Sequence, residues 1–310
     1  MTIATKPKAL LRAPFPWFGG KALAADLVWE RFGLDVKNYI EPFFGSGAIL
    51  LNAPEATNFT ATVNDIDAHV ANFWRSISAD PDSVAHYANS QVNEVDLQAR
   101  HQYLVDNAGV LAEKLKSDPD SYDAKLAGWW AWGCCCWIGG GWCAPKQGVN
   151  RQLPFLSHAG QGVNRKCDDR KIFLSEWFDR LSGKFKNTRV VCGDWKRICN
   201  VSAMLRRTIC AVLLDPPYGT TGAVYAHDSM TVVDEVKAWC LENGSNSKLR
   251  IALCGHVGQH EDLEDLGWSV ASPRKAQGYQ GADNRERIWF SPACLSVDPQ
   301  QGSLFGLQFS

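Results

Sequence analysis

The chain has 310 residues, 45% of them hydrophobic, and a formal net charge of -1; that is ample apolar content for a buried core, and the near-neutral sum excludes a uniformly basic nucleic-acid coat. No apolar run is long enough for a membrane span and the N-terminus lacks a secretory h-region, so a cytoplasmic protein is expected. Eleven cysteines, three of them adjacent at 134–136, suit neither a disulfide framework nor paired zinc knuckles, so reduced thiols and no metal are expected.

The first quarter alternates helix and strand signals. "KALAADLVWERFG" predicts a helix ending at Gly33, "NYIEPF" a short buried strand, "SGAILLNA" a helix after glycines and "FTATVND" a β-branched strand. That is the beat of a parallel α/β sheet. From Ala79 the character changes to two or three helices with no convincing strand. Asp-Pro-Asp-Ser occurs twice, at 80–83 and 118–121, and each predicts a helix start, with Asp as N-cap and Pro at the first helical position. The Trp/Cys-rich "GWWAWGCCCWIGGGW" reads as core, with an aromatic wedge into DNA as its functional alternative.

A loop-rich stretch follows, with Gly-Val-Asn-Arg at 148–151 and again at 162–165. The α/β beat then resumes with the strand "TRVVCGDW", the helix "KRICNVSAMLRR" and the strand "TICAVLLDPPY". The helix "TVVDEVKAWCLENG", the strand "LRIALCG", a short helix at "QHEDLEDLG" and strands in "WSVASPR" and "RERIWFSP" complete the sheet. An α/β domain at 1–78 and 187–310 is thus split by an insertion at 79–186. From Lys146 to Arg207 there are 14 Lys/Arg against 5 Asp/Glu, which points one face toward a polyanion. Within it Asn150, Arg151, Asn164 and Arg165 can approach base edges, while Lys146 and Lys166 can hold phosphates; the alternative is that the two Gly-Val-Asn-Arg elements are ordinary turns.

Two stretches carry chemistry. In "EPFFGSGAIL" a strand ends in Glu41, Pro42 and Phe43, and Gly45, Ser46 and Gly47 open a helix. A ligand can approach such a turn at the carboxyl edge of a parallel sheet. The turn lacks the third glycine of the dinucleotide fingerprint and the Gly-Lys-Ser/Thr of a P-loop. Asp65 ends the second strand, where an acid accepts hydrogen bonds from ribose hydroxyls or caps the following helix. In "AVLLDPPYGTTG" a buried strand terminates in Asp215, Pro216, Pro217 and Tyr218. The prolines fix two successive φ angles and remove two N–H donors. A carboxylate and a carbonyl then lie side by side on stiff backbone beside an aromatic plate. That arrangement suits the exocyclic amine of a nucleobase, gripped at both hydrogens while the ring stacks.

The blocks "PWFGGK" (16–21), "EPFFGSG" (41–47), "NDID" (64–67) and "DPPY" (215–218), in that order with an insertion before the last, resemble the DNA adenine-N6 methyltransferases of the Dam type. "RERIWFSP" (285–292) is similar to that family's final strand. The resemblance spans roughly 10–78 and 188–292. It implies a Rossmann-like S-adenosylmethionine-dependent methyltransferase sheet with a mainly helical and loop insertion that recognises the target, acting on adenine in double-stranded DNA by base flipping. Trp17 and Lys21 would lie against S-adenosyl-L-methionine, and residues 41–47 would floor its pocket. Asp65 would take its ribose hydroxyls, Asp194 its adenine, and Asp215 would stand between cofactor and target amine. Lys21 suits the methionine carboxylate. A cognate restriction nuclease is compatible with the family and not indicated by the sequence. The acceptor pair alone leaves N4-cytosine or an RNA adenine open as targets. A catalytically silent DNA-binding module and a zinc-stapled structural protein are the readings from other classes.

Overall fold

The computed structural model describes residues 11–17, 21–118, 120–139, 141–143, 153–206, 208–217, 230–273 and 285–296. Seven strands form one sheet: β1 (Asn38–Glu41), β2 (Thr60–Asp65), β3 (Thr188–Cys192), β4 (Cys210–Leu214), β5 (Leu249–His256), β6 (Ser269–Ala271) and β7 (Glu286–Phe290). Their order is β3-β2-β1-β4-β5-β7-β6. The first five pair in parallel, and β7 runs antiparallel to both β5 and β6. The strand order reverses between β1 and β4, which opens a crevice beyond their carboxyl ends.

The sheet is covered on both faces, as parallel strands require. Alternation along each strand sorts the side chains. Tyr39, Ala211, Leu213, Ala252, Cys254, Ile288 and Phe290 join one apolar cluster. Ile40, Val212, Leu214, Ile251, Leu253 and Trp289 join the other. The first cluster takes in α1 (Ala25–Phe32), α2 (Ala48–Leu51) and α3 (Ala68–Ala79); the second takes in α8 (Val201–Leu205) and α9 (Met230–Asn243).

The segment from 79 to 186 supplies α4 (Pro81–Ala88), α5 (Glu94–Ser117), α6 (Ala124–Cys134) and α7 (Arg170–Ser182). Its apolar side chains, among them Leu104, Trp132, Leu174 and Phe178, belong to the same cluster as α1 and α3. One continuous core therefore joins the insertion to the sheet. Trp130 and Trp132 are buried in it, so α6 contributes core. Among the described residues no helix is long and apolar enough to cross a membrane.

The two Asp-Pro-Asp-Ser stretches behave differently. Asp80 accepts a hydrogen bond from the Ser83 N–H and caps α4. Asp118 instead ends α5, and α6 is capped by Asp123, which accepts from Leu126 N–H. A residue before proline is driven out of the α region, and Asp118 is extended at φ -126° and ψ 111°. "KRICNVSAMLRR" likewise breaks in two: a 3-10 turn at Trp195–Arg197, then α8, capped by the Asn200 side chain.

Candidate active site

The glycine turn after β1 is built around close approaches. Gly45 and Gly47 have φ of +47° and +62°, a region that favours glycine. A Cβ at Gly45 would strike the Trp17 indole nitrogen, so Trp17 lies directly on the turn. The Trp74 indole donates to the Gly45 carbonyl at 2.8 Å. Asp65 receives the Gly45 N–H at 2.9 Å and the Asp67 N–H at 3.0 Å. Helix α3 is capped by Asp67, so Asp65 braces the turn and is not a helix cap. The Asn64 amide donates to the carbonyls of Pro42 and Gly193, at 3.0 and 2.9 Å. These bonds lock the loops after β1, β2 and β3 into one rim. Desolvation, with the Asp67 charge behind it, pushes the Asp65 carboxyl up to about 7 despite its backbone bonds.

Asp215 follows β4 on the same rim. Lys21, which begins a 3-10 turn before α1, is only 6% exposed, and its ammonium lies 3.3 Å from Asp215 Oδ2 and 3.4 Å from Glu286 Oε1. Glu41 ends β1 and is 3% exposed. Its Oε2 accepts the Tyr39 hydroxyl at 2.8 Å. Burial pushes the Glu41 carboxyl well above the usual carboxylate range; the Tyr39 bond opposes this and the Asp215 charge adds to it. The alternation that places Tyr39, Cys254 and Ile288 in one cluster puts Glu41 and Glu286 on that same face.

Phe43 faces Trp195 with ring centroids 6.0 Å apart, forming an aromatic pair between the loops after β1 and β3. Asp194 is exposed, and it caps the turn at 195–197 through Lys196 N–H at 2.8 Å. The expected residues Trp17, Glu41, Pro42, Phe43, Gly45, Ser46, Gly47, Asp65 and Asp194 thus line one edge. Lys21, Asp215, Pro216 and Pro217 extend it, and Tyr218 lies outside the described residues. Glu286, which the motifs do not single out, joins this edge through Lys21; its alternation with Ile288 and Phe290 is the signal that could have placed it.

The insertion presents a second feature. Arg165, Lys166, Arg170 and Lys171 line an open cleft of about 550 Å³, along with the acids Asp168 and Asp169. Arg170 anchors that cleft, its Nε donating to Asn89 Oδ1 at 2.6 Å and its NH2 to the Ser90 carbonyl at 3.0 Å. Arg165 and Lys166 are exposed. Asn164 is turned inward instead, 7% exposed, with its amide 2.9 Å from Cys136 Sγ. Val163 is also buried and donates its N–H to the Pro14 carbonyl at 2.8 Å. The second Gly-Val-Asn-Arg is therefore a rivet between α6 and the N-terminal loop, with only its arginine facing out. Lys146, Asn150 and Arg151 lie outside the described residues. All eleven cysteines are free thiols, and among the described residues no group of three or more His, Cys, Asp or Glu could hold a metal ion.

A doubly wound sheet with one antiparallel strand, β7, between β5 and β6, and with acids and a glycine turn at its switch point, is a Rossmann-like α/β fold. Residues 17–125 match the model of the D12 class N6 adenine-specific DNA methyltransferase family. The match begins at Trp17, crosses the glycine turn and Asp65, and runs through α5 to the start of α6; Asp215 lies beyond it. The matched family is one of adenine-specific DNA methyltransferases, and the matched segment holds the glycine turn and Asp65. No curated protein matches the sequence.

Proposed function

We propose that the chain transfers a methyl group from S-adenosyl-L-methionine to adenine N6 at a specific site in duplex DNA, with the target base turned out of the helix. The observation that carries this reading is the place of Asp215. It stands at the carboxyl end of β4, where the strand order reverses, with its carboxylate 3.3 Å from the buried Lys21 ammonium. Residues 1–78 and 187–310 form the catalytic part in this reading, and 79–186 recognises the target.

The residues present fit a cationic cofactor. Two carboxylates, Asp215 and Glu286, outnumber the single Lys21 ammonium they share at this edge, and the carboxyl groups of Glu41 and Asp65 lie on the same rim. Asp65 would take ribose hydroxyls, the Phe43–Trp195 pair with Asp194 would flank the adenine, and Trp17 would close the N-terminal side. When bound, the cofactor supplies an electrophilic methyl group. The chain's own residues prepare the acceptor. Asp215 and the Pro216 carbonyl each accept one hydrogen of the target amine, and drawing on both frees a lone pair otherwise delocalised into the ring. Pro217 holds that carbonyl in one direction. Lys21, expected against the methionine carboxylate, is paired with Asp215 and Glu286, and in this reading it fixes the Asp215 carboxylate through Oδ2. Tyr218 stacks on the extruded base, which contributes about 1–3 kcal/mol. Arg165 and Lys166, with Lys146, Asn150 and Arg151, face the DNA; the buried Asn164 supports that surface from behind.

Tritium transfer to duplex DNA tests the roles. Asp215→Asn places a donor against a donor and should lower the rate by about a hundredfold or more, while calorimetry shows cofactor affinity retained. Tyr218→Phe should keep most activity and Tyr218→Ala should lose base binding. Wild-type rates in Asp215→Asn would overturn the mechanism.

A further inference from the structure

Because β7 is antiparallel to β5, its first residue lands on the edge where the parallel strands end. His256, the last residue of β5, pairs with Glu286, the first of β7. Glu286 thereby reaches the Lys21 ammonium at 3.4 Å, and Asp215 reaches it at 3.3 Å. Lys21 is only 6% exposed, whereas its two carboxylate partners are 22% and 25% exposed. A nearly buried ammonium between two half-open carboxylates is held in place by both.

We infer that Glu286 is a positioning residue of this site: it shares Lys21 with Asp215 and thereby sets where the Asp215 carboxylate stands. The inference rests on the proposed role of Asp215 at the target amine. With Glu286 present, the ammonium is shared between two carboxylates. Without it, Asp215 holds a larger share of the ammonium, which turns its carboxylate and competes with the target amine for its oxygens. A displacement of about 1 Å at such a contact can lower a rate on the order of a hundredfold. Glu286 touches neither base nor transferring methyl group in this scheme, and its influence runs through Lys21 alone.

Glu286→Gln and Glu286→Asp provide the test in the full chain. Glu286→Gln should lower kcat by roughly tenfold to a hundredfold, with DNA affinity by anisotropy unchanged and cofactor affinity by calorimetry within about threefold of wild type. Glu286→Asp keeps the charge on a shorter arm and should recover part of the activity. Acetic anhydride labelling read by mass spectrometry reports on the ion pair independently of activity, and Lys21 should label severalfold faster in Glu286→Gln. Unchanged labelling, unchanged kcat, or a rate decrease matched by an equal decrease in cofactor affinity would each overturn the inference. If Glu286→Gln fails to fold, the decision passes to Glu286→Asp, where wild-type kcat and labelling would contradict it. A wild type that labels as expected but methylates no DNA would instead remove the functional reading.

Discussion

At the scale of single residues, the site sets the nearly buried Lys21 and Glu41 beside partly exposed acids. Asp65 shows the effect of desolvation most directly. Its carboxyl is pushed up to about 7, against about 3.9 in an unfolded chain. A raised acid contributes stability that is fully present below the unfolded value and lost as pH rises through the folded one. The free protein should therefore lose melting temperature between about pH 4 and pH 7 from this group. Ribose hydroxyls favour the ionised acceptor, so cofactor affinity should rise over the upper part of the same window, with release of a proton. Calorimetry at pH 6.5 in buffers of different ionisation enthalpy reads that proton directly. Asp65→Asn should abolish it. Proton-free binding by the wild type would mean that Asp65 does not meet the cofactor.

Among the elements, α4 and α6 of the insertion meet closely at Gly128. A Cβ at Gly128 would lie 2.6 Å from Tyr87 Cβ and 2.8 Å from the Ala88 nitrogen and the Val84 carbonyl oxygen. Two of those neighbours are backbone and cannot rotate away. Gly128→Ala should destabilise the fold by about 1–3 kcal/mol, read by denaturant melting, and a neutral result would show that the helices separate at no cost. Much at this scale was legible in the sequence. The strand–glycine–helix at 41–51, the ends of β2 and β4, and the cap at Asp80 follow from local chemistry alone. What was not legible depends on long-range pairing. The second Asp-Pro-Asp-Ser has the same letters as the first, yet Arg75 donates to the Leu115 and Ser121 carbonyls, and Asn72 exchanges two hydrogen bonds with Asp123. Those bonds from α3 fix where α5 stops and α6 starts. Asn164 reads as a loop residue until α6 closes over it, and Glu286 joins the site only once β7 reverses direction.

At the scale of the whole molecule, charge is segregated along the chain. The 14 Lys/Arg and 5 Asp/Glu between Lys146 and Arg207 leave 18 Lys/Arg and 28 Asp/Glu elsewhere. A polyanion should therefore be steered to one side. Arg165→Ala with Lys166→Ala should weaken DNA binding and reduce the salt slope by roughly one for each phosphate no longer neutralised, with cofactor affinity intact. An unchanged slope would move the DNA elsewhere. The central claim joins this surface to the rim at Asp215, and methylation-aware sequencing of DNA from cells expressing the chain tests it most directly. The account predicts N6-methyladenine at one short recurrent sequence with the wild type and its disappearance with Asp215→Asn. N4-methylcytosine, no modified base, or equal methylation by Asp215→Asn would contradict it.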